Sequence, residues 1–154
     1  MTKIPSTLGF LFFSDLKKVL LFEKQKPIHH KGLLNGLGGK HEKGEDDVSC
    51  IVREVEEEAG ILTHRVDWKV VGTLHWLEWE VSILTARLSE EINSKELEKY
   101  IDVSWYDVNN LPSNIITNLS WLIPMSTDTL NGNDFLTTIH YHCEEGLFRS
   151  SNQY

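Results

Sequence analysis

Apolar positions run in short β-like blocks at the start of the chain. Leu8 to Phe13 and Val19 to Phe22 are rich in strand-favouring residues, and the polar link Ser14-Asp15-Leu16-Lys17-Lys18 between them predicts a first hairpin. From Asp46 to Ala59 the period changes. Val48, Ile51, Val52, Val55 and Ala59 recur at helical spacing, and Gly60 supplies a stop, so this stretch is the clearest helix in the sequence. Val66 to Leu88 returns to strand character, with Trp79, Val81 and Ile83 alternating against Glu78, Glu80 and Ser82, although no Gly or Pro marks a turn within it.

Beyond Leu88, Ser94 to Tyr100 reads as a polar loop or helical turn, and Val103 to Val108 as a strand closed by Asn109-Asn110-Leu111-Pro112. Ile115 to Met125 predicts a short helix ending near Pro124, since proline cannot donate to the helical ladder. Asn131-Gly132-Asn133 is a turn signal ahead of a last strand at about Phe135 to His142. Strands outnumber helices, so the pattern predicts a mixed sheet flanked by helices. No repeat or linker divides the chain, and one domain over residues 1–154 is expected.

Composition narrows the function classes. The 40% hydrophobic content supports a real core. Twenty-three acidic against 15 basic residues give a formal charge of −8, a field that repels an extended nucleic acid. A small polyanionic substrate remains open to such a chain where divalent cations bridge the two. Cys50 and Cys143 form neither a CxxC pair nor a disulfide framework, so free thiols are expected. The apolar run at Leu8 to Phe13 is too short for a membrane span and carries no cleavage signal, so the cytoplasm is the expected location.

The chemistry concentrates at the clear helix. At about 100° per residue, Glu54, Glu57 and Glu58 fall within roughly a 100° arc beside the apolar face, while Glu56 points away. Like charges at these spacings cost an isolated helix about 0.2–0.5 kcal/mol per pair, an objection that a hard divalent cation removes. Just before the helix, Asn35-Gly36-Leu37-Gly38-Gly39-Lys40 is a glycine-rich turn whose backbone can approach a metal or phosphate closely. Arg53 can pair with Glu45 or Glu57 and so tie loop to helix.

Gly39, Glu45, Arg53-Glu54-Val55, Glu57-Glu58 and Gly60-Ile61 together resemble the Nudix box, with all nine specified positions present at their spacing. Val71-Gly72-Thr73-Leu74 and Trp105 to Pro112 are similar to later strands of that family, so the likeness extends over about residues 7 to 142. The resemblance implies an α/β/α sandwich around a mixed sheet. It implies a pyrophosphohydrolase using Mg²⁺, with Mn²⁺ as a substitute, held by Glu54, Glu57, Glu58 and the Gly38 carbonyl and braced by Glu45 and Arg53. Glu54 is the first candidate for general base, with Glu98 or Glu96 of a later loop as the alternative.

For substrate, Asn35 to Lys40 and Trp121-Leu122-Ile123-Pro124 resemble the branch that clears oxidised purine nucleoside triphosphates, which makes Asn35, Gly38, Gly39, Lys40 and Asn118 candidate substrate contacts. The paired aspartates of the animal enzymes are replaced here by Asn118 and Leu119. A nucleoside triphosphate giving a monophosphate and pyrophosphate is therefore the leading expectation. The alternatives are dinucleoside polyphosphates, sugar nucleotides, capped or triphosphorylated RNA ends, with long RNA disfavoured by the acidic charge, and a nucleotide sensor without turnover. The sequence leaves the oligomeric state open.

Three further features read more plainly. His29-His30-Lys31 is a basic surface loop, and Trp76, Trp79, Trp105 and Trp121 are core aromatics, one of which can line a pocket. His140 and His142 alternate on one strand without a third ligand, so no zinc site is expected there.

Overall fold

A computed structural model describes residues 2–88 and 97–142. The first hairpin is present as β1 (Ile4–Phe12) and β2 (Lys18–Glu23), paired through Phe12 and Val19. β3 (Leu34–Asn35) precedes the glycine turn, and α1 spans Asp47–Ala59. The strand-like stretch resolves into β4 (Trp68–Trp76) and β5 (Trp79–Arg87), and β6 spans Val103–Asp107. α2 (Leu119–Leu130) and β7 (Thr137–Tyr141) complete the described elements.

The strands form one mixed sheet in the order β3-β2-β1-β5-β4-β7, with β6 against β2. β1 runs parallel to β5 and β7 parallel to β4, while the hairpins are antiparallel. Alternation along β1 explains both layers. Leu8, Phe10 and Phe12 face a core shared with Leu119, Leu122 and Ile123 of α2, whereas Leu11 faces a second core with Ile51, Val55 and Ala59 of α1. A helix therefore covers each face, the expected α/β/α arrangement. Gly9 keeps the α1 layer close, because a β-carbon there would collide with the Ile51 side chain.

One expectation needed correction, and one turn left unplaced by the sequence is located. The β4–β5 turn is Leu77-Glu78, with Leu77 at φ 51°, a position where glycine or asparagine is usual and which composition therefore hid. Pro124 does not end the second helix, which starts at Leu119 rather than Ile115 and runs on to Leu130. Its start is displaced because Ile115 and Ile116 pair with Leu34 of β3. Its continuation rests on packing, since Leu122, Ile123, Ser126 and Thr129 are buried against the sheet on either side of the proline. Hydroxyls of Ser126, Thr127 and Thr129 also donate to the carbonyls of Leu122, Pro124 and Met125. Among the described residues no helix is long and apolar enough to cross a membrane. Glu96 and Cys143 lie outside the described residues.

Candidate active site

α1 begins and ends as its sequence dictates. Asp46 caps it by accepting from the Ser49 amide at 2.8 Å, and Gly60 closes it at φ 67° with its amide donating to the Glu56 carbonyl. Arg65 clamps the cap from the next turn, donating to both Asp46 oxygens at 2.9 and 2.7 Å. Cys50, Ile51, Val55 and Ala59 are buried, which turns the edge bearing Glu54, Glu57 and Glu58 toward the glycine turn.

Arg53 is the hub of that edge. It donates to Glu45 at 2.6 and 3.0 Å, to Glu54 at 3.0 Å, to Glu57 at 3.1 Å and to the Lys40 carbonyl at 3.1 Å. The expected pairing with Glu45 or Glu57 is thus a wider network that also engages Glu54. Hydrogen bonding from Arg53 holds the Glu45 carboxyl down to about 2, with the Glu42 amide adding to the effect. Glu45 therefore contributes its full stabilisation above an unfolded value of about 4.5 and loses it as pH falls toward 2. Glu45→Gln is expected to lower the urea midpoint at pH 7, with the gap to the native protein closing between pH 4.5 and 2. A gap constant over that interval would show that Glu45 acts through packing instead.

Glu58 stands apart from Arg53. Its Oε1 accepts from the Gly38 amide at 2.8 Å, yet burial pushes its carboxyl up to about 7, and the neighbouring charges of Glu54 and Glu57 push the same way. Burial also raises Glu54 above the usual carboxylate range. Glu54 lies directly over Gly39, where any β-carbon would collide with its carboxylate, and a β-carbon on Gly38 would meet the Thr7 carbonyl. Both glycines are needed for this close approach. Gly38 also sits at φ 145°.

Of that edge, Glu58 reaches a cavity of about 520 Å³, whose walls include neither Glu54 nor Glu57. Asn35, Gly38, Gly39, Lys40 and Glu58 line it, four of them being expected substrate contacts. The structure adds Lys24, His30, Trp76 and Trp79 to the same walls. Lys40 Nζ stands 4.9 Å from the centre of the Trp79 ring, a cation–π contact. Burial lowers the Lys24 ammonium, and Glu58 opposes that shift. His30 belongs to the stretch read as a surface loop but is only 6% exposed. Trp76 and Trp79 pair directly across the two-residue turn, so placing that turn in the sequence would have revealed them as neighbours.

Five expected site residues are not among the walls of this cavity: Arg53, Glu54 and Glu57 stay on the helix edge, where Glu58 alone joins the lining, and Glu98 and Asn118 stand elsewhere. Glu98 is exposed and lines a separate cavity of about 430 Å³ with Phe13, Lys18 and Trp105, which shares no residue with the first. Leu97, anchored in the α1 core, holds it there. Asn118 is 2% exposed at the start of α2, its Oδ1 without a hydrogen-bond partner, and it is not among the cavity walls.

The donor chemistry is of the kind a hard divalent cation takes: three carboxylates share one edge and burial penalises the charge of Glu54 and Glu58, although among the described residues no three His, Cys, Asp or Glu side chains are already grouped to hold an ion.

This fold and helix edge define a class, and the comparisons agree with it. Residues 3–124 match the family model for the NUDIX domain. The chain belongs to the Nudix family. It is 32% identical over 98 residues to an NAD-capped RNA hydrolase NudC from Vibrio atlanticus, a match that covers 62% of this chain and 35% of that relative. The chain thus spans about a third of the length of that curated relative. In fold it is similar to a MutT/nudix family protein from Enterococcus faecalis, with TM-score 0.66 and 15% identity over 86% of this chain and 63% of the other. A mutator MutT protein from Bacillus halodurans gives TM-score 0.63 and 21% identity over 96% and 94% of the two chains. An ADP-ribose pyrophosphatase from Streptococcus suis gives 0.62 and 18% over 91% and 100%.

Proposed function

We propose that this chain hydrolyses a phosphoanhydride bond in a nucleoside diphosphate-linked small molecule, with Mg²⁺ held by Glu54, Glu57, Glu58 and the Gly38 carbonyl, and Mn²⁺ as a substitute. The observation that supports the reading is a glutamate edge gathered by Arg53 whose Glu58, with Gly38 and Gly39, lines a cavity with both aromatic and cationic walls. When bound, the cation neutralises the diphosphate and acidifies the attacking water.

The chain's own residues do the rest. Lys24 and Lys40 supply positive charge toward the phosphates in a chain that is acidic overall. The Trp76 and Trp79 faces take a planar base, with Asn35 at the same wall for its polar edge. Water attacks one phosphorus as the bond to the bridging oxygen breaks, and the water's proton passes to a carboxylate. Glu54 is the assigned base, because it overlies Gly39 at the cavity wall while Glu98 faces a different cavity. Arg53 and Glu45 act as positioning residues.

A nucleoside triphosphate, oxidised purines included, yielding a monophosphate and pyrophosphate is the leading substrate. The likeness to an NAD-capped RNA hydrolase favours a second reading, a dinucleotide joined through its diphosphate. Incubation with Mg²⁺ and a panel of nucleoside triphosphates, oxidised triphosphates, dinucleoside polyphosphates, NAD-type dinucleotides and sugar nucleotides, followed by phosphorus NMR, separates these. No cleavage across the panel, with the protein folded, would sink the hydrolase reading. On the preferred substrate, Trp79→Ala is expected to raise KM about tenfold with kcat little changed, since base stacking contributes about 1–3 kcal/mol. An unchanged KM would remove Trp79 from the base site.

A further inference from the structure

We infer that Cys50 and Thr7 are positioning residues, which together fix the glycine turn Gly38-Gly39-Lys40 in the shape that lines the substrate cavity. The inference rests on the reading of that cavity as the substrate site. Cys50 is a buried free thiol that no step of the proposed reaction uses. Helical spacing puts it on the stripe that bears Arg53, Glu54 and Glu57, at i, i+3, i+4 and i+7. Alternation along β1 turns Thr7 toward it, because Leu8 and Phe10 face the α2 core while Leu11 faces α1. Both side chains are buried, Cys50 completely and Thr7 to 4% exposure.

Their polar atoms meet beneath the turn. The Thr7 hydroxyl lies 3.3 Å from the Cys50 sulfur. That sulfur lies 3.6 Å from each of the Gly39 and Lys40 carbonyl oxygens and 3.7 Å from Nη2 of Arg53. Burial pushes the Cys50 thiol up to about 11, so it carries its proton at neutral pH. With that one hydrogen donated toward the carbonyls, the sulfur accepts from Thr7 and Arg53. A serine oxygen, whose hydrogen bonds run to about 2.7–2.8 Å, cannot span partners set at these distances.

The same two carbonyls are also the turn's anchors to its neighbours. Gly39 accepts from the Thr7 amide of β1 at 2.9 Å, and Lys40 accepts from Arg53 of α1 at 3.1 Å. Cys50 ties both anchors into one junction. What that junction holds faces the cavity: Gly38, Gly39 and Lys40 are all among its walls, and the Gly38 amide donates to Glu58 at 2.8 Å. A turn fixed in advance spares the substrate the cost of ordering it. Cys50 itself is not among the cavity walls, so any effect it has on substrate passes through the turn.

The test compares the native chain with Cys50→Ala, Cys50→Ser and Thr7→Val by hydrogen exchange and by ligand binding. Exchange followed by NMR reads the turn itself at the amides of Thr7, Gly38 and His41, which donate to Gly39, Glu58 and Pro5. Calorimetric titration with an α,β-methylene nucleoside triphosphate in Mg²⁺ reads the cavity. Cys50→Ala and Thr7→Val are expected to speed exchange at those amides about tenfold and to weaken the analogue at least about fivefold, with Cys50→Ser between them and native. Val71→Ala, a truncation in the α2 core, controls for lost stability and leaves the affinity at its native value. Should Cys50→Ala fail to fold, Thr7→Val, which keeps the side chain's shape, still decides the matter. Native exchange at the turn in these variants, or faster exchange with native affinity, overturns this inference alone. A native chain that does not bind the analogue overturns the cavity reading and this inference with it.

Discussion

Glu57→Gln is expected to lower turnover by at least about a hundredfold while the melting temperature of the metal-free protein stays close to native. The two effects separate because of where Glu57 sits. Its side chain is 57% exposed, and its contact is one i,i+4 pair with Arg53 at 3.1 Å. Pairs of that kind contribute about 0.3–0.5 kcal/mol at a surface, so removing the charge barely touches the fold. Within the proposed function the same charge is one of three that hold the cation, and glutamine is a poor ligand for a hard ion. Steady-state kinetics at saturating Mg²⁺, alongside thermal melts in chelator, measure both quantities. A folded Glu57→Gln protein with near-native kcat would remove Glu57 from the metal site.

The helix edge that bears Glu57 was legible from the sequence because its signals are local. The α1 periodicity, the Asp46 cap and the Gly60 stop all lie within fifteen residues, so helix and charged edge follow from spacing alone. What escaped depends on distant contacts. Lys24 and His30 reach the cavity because the loop after β2 folds back toward the glycine turn, and nothing in Lys26 to Lys31 encodes that path. The Trp76–Trp79 pair was hidden by a turn that puts Leu77 where glycine is usual. Pro124 misled for the opposite reason: its local penalty, about 3 kcal/mol, is real but is offset by burial on both sides of it. Glu98 and Asn118 were placed by analogy along the chain, and the core contacts of Leu97 and Leu119 carry both away from the cavity walls.

Arg53→Ala carries the largest expected loss of stability, about 3 kcal/mol, together with most of the activity. One guanidinium serves Glu45, Glu54, Glu57 and the Lys40 carbonyl, and its side chain is 21% exposed beside Glu45 and Glu54 at 15% and 14%. Removing it leaves two largely shielded carboxylates without their cation and frees the loop from Lys40 to Glu45 from the helix. Because the lost charge can be supplied from outside, Mg²⁺ should stabilise Arg53→Ala more than it stabilises the native chain. Arg53→Lys keeps the charge but not the planar fork, and one ammonium cannot span four acceptors, so an intermediate midpoint is expected. Urea unfolding of the three proteins with and without Mg²⁺ decides it. If Arg53→Ala stays within about 1 kcal/mol of native in chelator, the carboxylates are held apart by the backbone rather than gathered by Arg53.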